Sequence, residues 1–173
     1  PENALEQENM LKETMQHYVL ASLSRQGLFT EAAFHGGTCL RIVHGLQRFS
    51  EDLDFLLKKP DPAFQWSRYL AGVQRDCRAD GLEFEIVDRN ESEKAVRKTF
   101  LKTDSVGSLL YFQLPFGRHR HQKVRIKLEI DTRPPAGSSF ETAYLMFPRP
   151  EPLTIQTLES GFALKIHALL CRS

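Results

Sequence analysis

The chain has 173 residues, of which 41% are hydrophobic and 26% charged, with a formal net charge of +1. These values are typical of an ordinary globular domain with a sizeable core, and they exclude a disordered chain. No apolar run approaches the length of a membrane span and no signal-peptide pattern opens the chain, so a membrane-spanning or secreted precursor is not predicted. The near-zero net charge indicates no partner by itself.

The three cysteines are odd in number and widely spaced, at Cys39, Cys77 and Cys171. They form no zinc-binding pattern, and we expect reduced thiols and a cytoplasmic protein. The chain begins at Pro1 rather than at a methionine and ends at Ser173 directly after an apolar helical run. We therefore expect a longer natural chain.

The first half of the sequence predicts a helix, a short strand and a tight turn. Apolar residues recur at helical spacing over residues 4–26, and Gly27 is a natural stop. Residues 32–34 are short and apolar and predict a strand. The turn His35-Gly36-Gly37-Thr38 follows, and we expect it to open a short helix over residues 39–44.

The sequence Asp52-Leu53-Asp54-Phe55-Leu56-Leu57 reads as a strand. Successive side chains of a strand face opposite ways, so Asp52 and Asp54 share one face while Leu53 and Phe55 point into the core. Two carboxylates on one face repel each other unless a cation lies between them, and a divalent cation that prefers oxygen ligands fits best. An isolated pair of this kind more often marks a solvated strand end.

The paired glycines add a second feature with the same implication. Gly36 and Gly37 allow backbone N–H groups to approach a phosphate closely, and Thr38 can add a hydroxyl. A double glycine alone is usually only a turn. A phosphate cradle followed by a metal-binding acid pair, in that order, favours phosphoryl or nucleotidyl transfer.

The second half predicts further helices and strands. We expect helices over residues 64–79 and 157–172 and strands over residues 82–87, 95–102, 108–114, 124–131 and 143–147. Trp66 lies off the apolar stripe of its helix and is expected at the edge of the core, with stacking on a base as the alternative. Thr157 is expected to cap the last helix, whose predicted buried face consists of Leu158, Phe162, Ile166, Leu169 and Leu170.

The strand over residues 124–131 alternates between apolar and polar residues. Its polar face carries two candidates for the third acid of a metal site, Glu129 and, nearer the strand end, Asp131; the alternative is an exposed face with cross-strand salt bridges. The densest basic cluster of the chain overlaps this strand and fits either a solvated hairpin tip or a phosphate-binding edge: Arg118, His119, Arg120, His121, Lys123, Arg125 and Lys127.

The segments GGTCLR and RFSEDLDF, over residues 36–41 and 48–55, resemble the AbiE-type nucleotidyltransferase toxin family. That family belongs to the DNA polymerase β-like nucleotidyltransferase superfamily. The resemblance implies an α+β protein with a mixed, twisted sheet flanked by helices. It also implies a catalytic domain over residues 1–156, with residues 157–173 as the start of a helical C-terminal region that this sequence truncates.

The resemblance further implies a set of site residues. KLEI around Glu129 resembles the third-acid strand of the family, so Asp52, Asp54 and Glu129 are expected to hold Mg²⁺ or Mn²⁺. ALKIHAL resembles the segment carrying a lysine that contacts nucleotide phosphates, which would be Lys165; a solvated surface lysine is the alternative. The triphosphate-binding set would then be Gly36, Gly37, Thr38, Arg41 and Lys165.

Several alternatives stay open on the sequence alone. Arg41 and Arg48 fit a triphosphate contact or a salt bridge to Glu51 or another acid. The resemblance implies a nucleoside triphosphate as substrate, an RNA acceptor such as the tRNA 3′ end, and a separately encoded antitoxin as partner. A metal-dependent phosphodiesterase or nuclease, or a non-catalytic nucleotide- or RNA-binding module, would use similar residues.

Overall fold

A computed structural model of the chain describes residues 4–88, 105–113 and 123–170. The predicted strand over residues 95–102 and the basic residues from Arg118 to His121 lie outside these ranges. The helices are α1 (Ala4–Arg25), α2 (Leu28–Glu31), α3 (Gly36–Ile42), α4 (Ser67–Ala79) and α5 (Leu158–Leu170). The strands are β1 (Ala32–His35), β2 (Asp52–Leu57), β3 (Glu83–Asp88), β4 (Ser105–Gln113), β5 (Lys123–Asp131), β6 (Phe140–Leu145) and β7 (Glu151–Gln156).

The strands form one mixed sheet of seven strands in the order β3-β4-β5-β2-β1-β7-β6. The central strand β2 pairs antiparallel with β1 on one side and parallel with β5 on the other. The predicted α+β class with a mixed sheet is therefore confirmed. The alternating sequence of β2 explains its central place, because its apolar residues need a core on one face while its acids need a polar surface on the other.

The core lies on the face of the sheet that α1 and α4 cover. Phe34 of β1 and Phe55 of β2 are opposite each other in the register and are both buried, with ring centroids 5.5 Å apart. Val19 of α1 and Val73 of α4 are also fully buried in this cluster. Trp66 is a member of this buried cluster and donates from its indole nitrogen to the Val106 carbonyl at 3.0 Å, so it packs inside the core rather than at its edge.

Several predicted boundaries were wrong, and the start of β4 at Ser105 rather than Ser108 is one of them. Local patterns do not contain the tertiary pairing that decides where an element begins. The helix α3 starts at Gly36, directly after β1, rather than at Cys39. The helix α4 starts at Ser67 rather than at Phe64, whose side chain is buried ahead of the helix. The strand β6 begins at Phe140 rather than Ala143, since its register with β7 starts there.

The last helix, α5, confirms its predicted cap but not its predicted buried face. The Thr157 hydroxyl accepts a hydrogen bond from the backbone N–H of Ser160 at 3.4 Å. The apolar side chains expected to be buried are instead exposed, with Phe162 at 66% and Leu169 at 73%. Helical periodicity shows that a face is apolar but not what covers it, and within the described residues nothing covers this one. None of the helices in the described ranges is both long enough and apolar enough to cross a membrane.

The two cysteines inside the described ranges, Cys39 and Cys77, are buried and unpaired with each other. Burial raises the pKa of each thiol to about 12. Thiols with such a pKa hold their proton at neutral pH and are poor nucleophiles. They act as core side chains, as their helical patterns predicted.

One polar cluster ties the two helices over the core together. The Asp76 carboxylate on α4 accepts hydrogen bonds from the end of α1 and the residue after it, from Ser22 Oγ (2.7 Å), Gln26 Nε2 (3.0 Å) and Arg25 Nε (3.3 Å). Arg25 also reaches Glu151 of β7, with 3.1 Å between Nη1 and Oε1. Burial alone would raise the pKa of Asp76, but the Ser22 hydrogen bond and the Arg25 charge outweigh it and lower that pKa.

We expect Asp76→Ala to reduce the free energy of unfolding by about 2–3 kcal/mol at pH 7, because three donors lose a charged acceptor. The pKa of Asp76 is lower in the folded than in the unfolded state. Its contribution is therefore complete above its ordinary value of 3.8 and is lost as the pH falls through the folded value. Urea unfolding at several pH values measures the difference. The control is Asp80→Ala, whose partner Arg149 is largely exposed; an equal effect of both variants would contradict this prediction.

Candidate active site

The strand register places the three predicted acids on one face of the sheet. Asp54 is opposite His35 of β1 on one side and Glu129 of β5 on the other. Asp52 is opposite Lys127 in the neighbouring row. Residues opposite each other in paired strands project from the same face. The arrangement thus has Asp52, Asp54 and Glu129 side by side on the face away from the core, as the alternating pattern predicted for the two aspartates and the family resemblance implied for Glu129.

The three carboxylates interact electrostatically. Burial, together with the charges of Asp52 and Glu129, raises the pKa of Asp54 to about 6 against the opposing charges of Lys127 and Lys165. A carboxylate with a raised pKa is one whose charged form the fold disfavours. Asp54 is therefore the member of the group with most to gain from a cation.

Among the described residues, Lys127 directly contacts two of the three acids. Its Nζ lies 2.9 Å from Glu129 Oε1 and 3.4 Å from Asp52 Oδ2. The sequence placed Lys127 only in a general basic cluster. The signal that could have placed it here is the two-residue strand period, because Lys127 and Glu129 alternate onto the same face of β5.

The donor set agrees in kind with a divalent metal, since carboxylate oxygens are the ligands that Mg²⁺ prefers. Asp52, Asp54 and Glu129 would hold such an ion. In the described ranges, however, no three acidic, histidine or cysteine side chains are already gathered closely enough to bind one ion together. The ammonium of Lys127 lies between two of the three carboxylates, so closure around a metal requires Lys127 to move.

The two glycines at the start of α3 pack directly against the acid strand and the loop before it. Gly36 has φ +80°, and a Cβ there would lie 2.6 Å from Asp54 Oδ2. A Cβ on Gly37 would lie 2.7 Å from Ser50 Oγ. The absence of side chains is thus required by close packing at this point. The predicted access of phosphate to their backbone remains a separate proposal.

Thr38 does not present its hydroxyl to the cleft. Its side chain is fully buried, and the hydroxyl donates a hydrogen bond to the backbone carbonyl of Asp52. This bond joins α3 to the first residue of β2. In the structure Thr38 therefore positions the acid strand, in place of the direct phosphate contact that the sequence suggested.

Arg41 is engaged in an ion pair, which was one of the two readings left open by the sequence. Its Nε lies 3.2 Å from Glu13 Oε2 on α1, and its Nη1 donates to the carbonyl oxygens of Leu46 and Gln47 at 3.0 Å. The partner of Arg41 is Glu13 rather than Glu51, because Glu51 Oε1 lies 3.2 Å from the Nζ of Lys12. Arg48 is exposed in the loop before β2.

A cavity of about 500 Å³ opens beside Asp54, between α3 and the first turns of α5. Lys165 lines it together with Asp54, so the predicted lysine and one predicted acid share one space. The lining comes from both sides of the predicted domain boundary at residue 156, and its polar members include His35, Asp54, Gln156, Thr157 and Lys165, with Gly36 and Gly37 beside them.

Two polar residues of this cavity were missed by the sequence reading. Burial, aided by the charge of Lys165, lowers the pKa of His35 to about 4, so its imidazole is neutral at pH 7. Gln156 is 4% exposed, and neither polar atom of its amide has a hydrogen-bond partner within the described ranges. Both residues end a strand, and only the pairing of β1 with β2 and β7 brings them to the site.

A pair of matched substitutions tests the close approach of Gly36 to Asp54. Gly36→Ala adds backbone strain of about 1–2 kcal/mol at positive φ and also drives a Cβ into the Asp54 carboxylate. Gly45→Ala, at φ +72° with no neighbour within 4 Å, adds the strain alone. We expect Gly36→Ala to be the less stable variant in chemical denaturation, by about 1–3 kcal/mol. Equal losses of stability would contradict the packing argument.

A second test concerns the repulsion among the acids. In the presence of a chelator at pH 8, we expect Asp54→Asn to raise the free energy of unfolding by about 1–2 kcal/mol, because it removes a buried charge that two neighbouring carboxylates repel. The control is Glu83→Gln, an acid with an exposed side chain on β3. Thermal and urea unfolding measure the change. A fall in stability for Asp54→Asn would show that its charge is compensated in the fold.

Comparison with known proteins gives the family and the fold. The family model described as "Nucleotidyl transferase AbiEii toxin, Type IV TA system" matches residues 18–173. The crystal structure of JHP933 from Helicobacter pylori is 20% identical, with a TM-score of 0.62, and the match covers 91% of this chain and 56% of that one. A candidate nucleotidyltransferase from H. pylori is 20% identical, with a TM-score of 0.60 and coverage of 91% and 57%.

These two likenesses show the fold, and this chain spans a little over half the length of both structures. No curated protein matches significantly. The family match covers β1, α3, β2 and β5, which are the elements that carry the acids and the glycines. Because that match extends over most of its residues, this chain belongs to the AbiEii nucleotidyltransferase toxin family of type IV toxin–antitoxin systems.

Proposed function

We propose that this chain transfers a nucleoside monophosphate from a nucleoside triphosphate to an acceptor hydroxyl, with Mg²⁺ or Mn²⁺ as cofactor. The observation that carries the proposal is the row in which Asp54 and Glu129 are locked side by side by the β2–β5 register, next to a cavity that Lys165 also lines. In a nucleotidyltransferase family, such a carboxylate row beside a cavity lined by a lysine is suited to binding a metal–triphosphate complex.

The roles of the residues follow from their positions. Asp52, Asp54 and Glu129 would hold the metal, which when bound neutralises phosphate charge and lowers the pKa of the acceptor hydroxyl. Lys165, on the wall of the same cavity, would pair with the triphosphate and stabilise the charge that grows on the leaving pyrophosphate. Gly36 and Gly37 line the same cavity, and their backbone N–H groups would bind phosphate oxygens.

Two other predicted residues take supporting roles in this proposal. Thr38 holds α3 against the start of β2 and so fixes the distance between the glycines and Asp52. Arg41 reaches the triphosphate only if its ion pair with Glu13 opens, and we therefore assign its main role to the packing of α3 on α1.

We propose an RNA acceptor, with the tRNA 3′ end as the form that the sequence resemblance implies, and a separately encoded antitoxin as partner in the cytoplasm. The family description as a type IV toxin supports the antitoxin. Arg125 supports a polyanionic acceptor, because it is exposed on β5 and alternates onto the same face as Glu129. A cation beside the acids would help to hold an RNA backbone against the repulsion of the carboxylates.

A labelling assay tests the reaction. The chain is incubated with Mg²⁺, total RNA and each α-³²P-labelled nucleoside triphosphate in turn. We expect label in RNA, and a loss of at least about 100-fold for Asp52→Asn, because several kcal/mol of metal-borne charge stabilisation disappear. The matched control is Glu51→Gln, the neighbouring acid, which is exposed and pairs with Lys12 rather than with the site; it should retain full transfer.

The assay separates the alternative functions. Release of nucleoside monophosphate without incorporation would identify a phosphodiesterase or nuclease and overturn the transfer. Nucleotide binding without turnover, unchanged in Asp52→Asn, would identify a non-catalytic binding module. Label that appears only in added protein would retain the reaction but overturn RNA as the acceptor.

A further inference from the structure

We propose that Lys127 is a built-in counter-ion of the acid cluster, and that a divalent metal binds by displacing its ammonium from between Asp52 and Glu129. Metal binding by this chain is then an exchange of one cation for another. The inference rests on the metal site of the proposed function, but not on the transfer reaction.

The pairing of β2 with β5 fixes the position of the Lys127 ammonium. Lys127 is opposite Asp52 in the β2–β5 register and lies two residues before Glu129 on the same strand face. Its Nζ is 3.4 Å from one carboxylate and 2.9 Å from the other, and its side chain is only 21% exposed. The backbone of two central strands therefore aims the ammonium at the acids, which distinguishes it from a surface lysine that pairs with whichever acid is near.

A metal ion and the Lys127 ammonium would compete for the same carboxylate oxygens. Mg²⁺ binds carboxylate oxygens at about 2.0–2.1 Å, so an ion held by Asp52 and Glu129 would occupy the space where the ammonium lies. Two cations at that separation repel each other strongly. The same carboxylate oxygens cannot serve both partners, and the ammonium must leave for the metal to enter.

The ion pairs of Lys127 would lower the apparent affinity of the site for a metal. Without a metal, Lys127 compensates part of the repulsion among three carboxylates and so stabilises the metal-free fold. The metal must overcome these ion pairs, and the apparent affinity for the metal is reduced by their contribution. Removal of the ammonium should therefore have two opposite effects, a less stable metal-free protein and tighter metal binding.

The ammonium of Lys165 does not replace this role. Lys165 affects the charge balance at Asp54 from the exposed helix α5, whereas Lys127 directly contacts two of the acids from within the sheet. Elsewhere in the fold, Lys12 offers a matched comparison. Its Nζ also bridges two acids, Glu8 at 3.0 Å and Glu51 at 3.2 Å, and neither belongs to the site.

The test measures Mn²⁺ binding by electron paramagnetic resonance, without nucleotide or RNA, in the wild type, Lys127→Met and Lys12→Met. We expect Lys127→Met to bind Mn²⁺ about tenfold or more tightly than the wild type and to melt at a lower temperature in chelator, with Mg²⁺ restoring its stability. Lys12→Met should bind Mn²⁺ as the wild type does. The added substitution Asp54→Asn should abolish the tight binding of Lys127→Met, which places that binding at this site.

Equal or weaker Mn²⁺ binding by Lys127→Met would overturn the exchange while leaving the labelling assay free to succeed. No Mn²⁺ binding by any variant would overturn both the exchange and the metal in the proposed reaction. A second measurement needs no variant, namely reductive methylation of lysines in the wild type, mapped by mass spectrometry. Faster methylation of Lys127 on addition of Mg²⁺, with Lys12 unchanged, supports displacement, and an unchanged rate at Lys127 overturns it.

Discussion

The parallel pairing of β2 with β5 is the constraint on which the site depends. Leu53 is opposite Leu128 and Phe55 is opposite Ile130, and all four side chains are buried on the core face. Because side chains alternate, a slip of one residue in this pairing would send Glu129 to the core and leave Asp54 beside an apolar residue. The hydrophobic core therefore fixes the separation of the acids.

The same constraint produces a conflict between stability and function. A register that gathers Asp52, Asp54 and Glu129 also gathers their negative charges, and burial of Asp54 makes the repulsion worse. Lys127 offsets part of this repulsion, because it supplies an opposite charge from the neighbouring strand. Natural proteins commonly tolerate such conflicts only where a ligand resolves them, which agrees with a site that is completed by a cation.

Strand periodicity predicted the shared face of Asp52 and Asp54, because a period of two is a local property of the chain, whereas the resemblance to a family supplied Glu129 as the third acid. Periodicity did not reveal His35 and Gln156, since their approach to Asp54 depends on which strands pair and in which register. The hydrogen-bond partner of the Thr38 hydroxyl could not be predicted either. A hydroxyl after two glycines suits a phosphate, but here it donates to a backbone carbonyl of β2. Resemblance to a family, rather than any local pattern, supplied Lys165.

The helix that carries Lys165 is anchored differently from the strands that carry the acids. The start of α5 is pinned by Ser139, whose carbonyl accepts the N–H of Thr157 at 3.0 Å and whose hydroxyl lies 2.8 Å from that of Ser160. Beyond this first turn, the apolar side chains of α5 within the described residues are largely exposed. The acids are fixed by a central sheet, whereas Lys165 sits two turns along a helix anchored at one end. The distance between Lys165 and Asp54 is therefore the dimension of the site that depends most on what packs against α5.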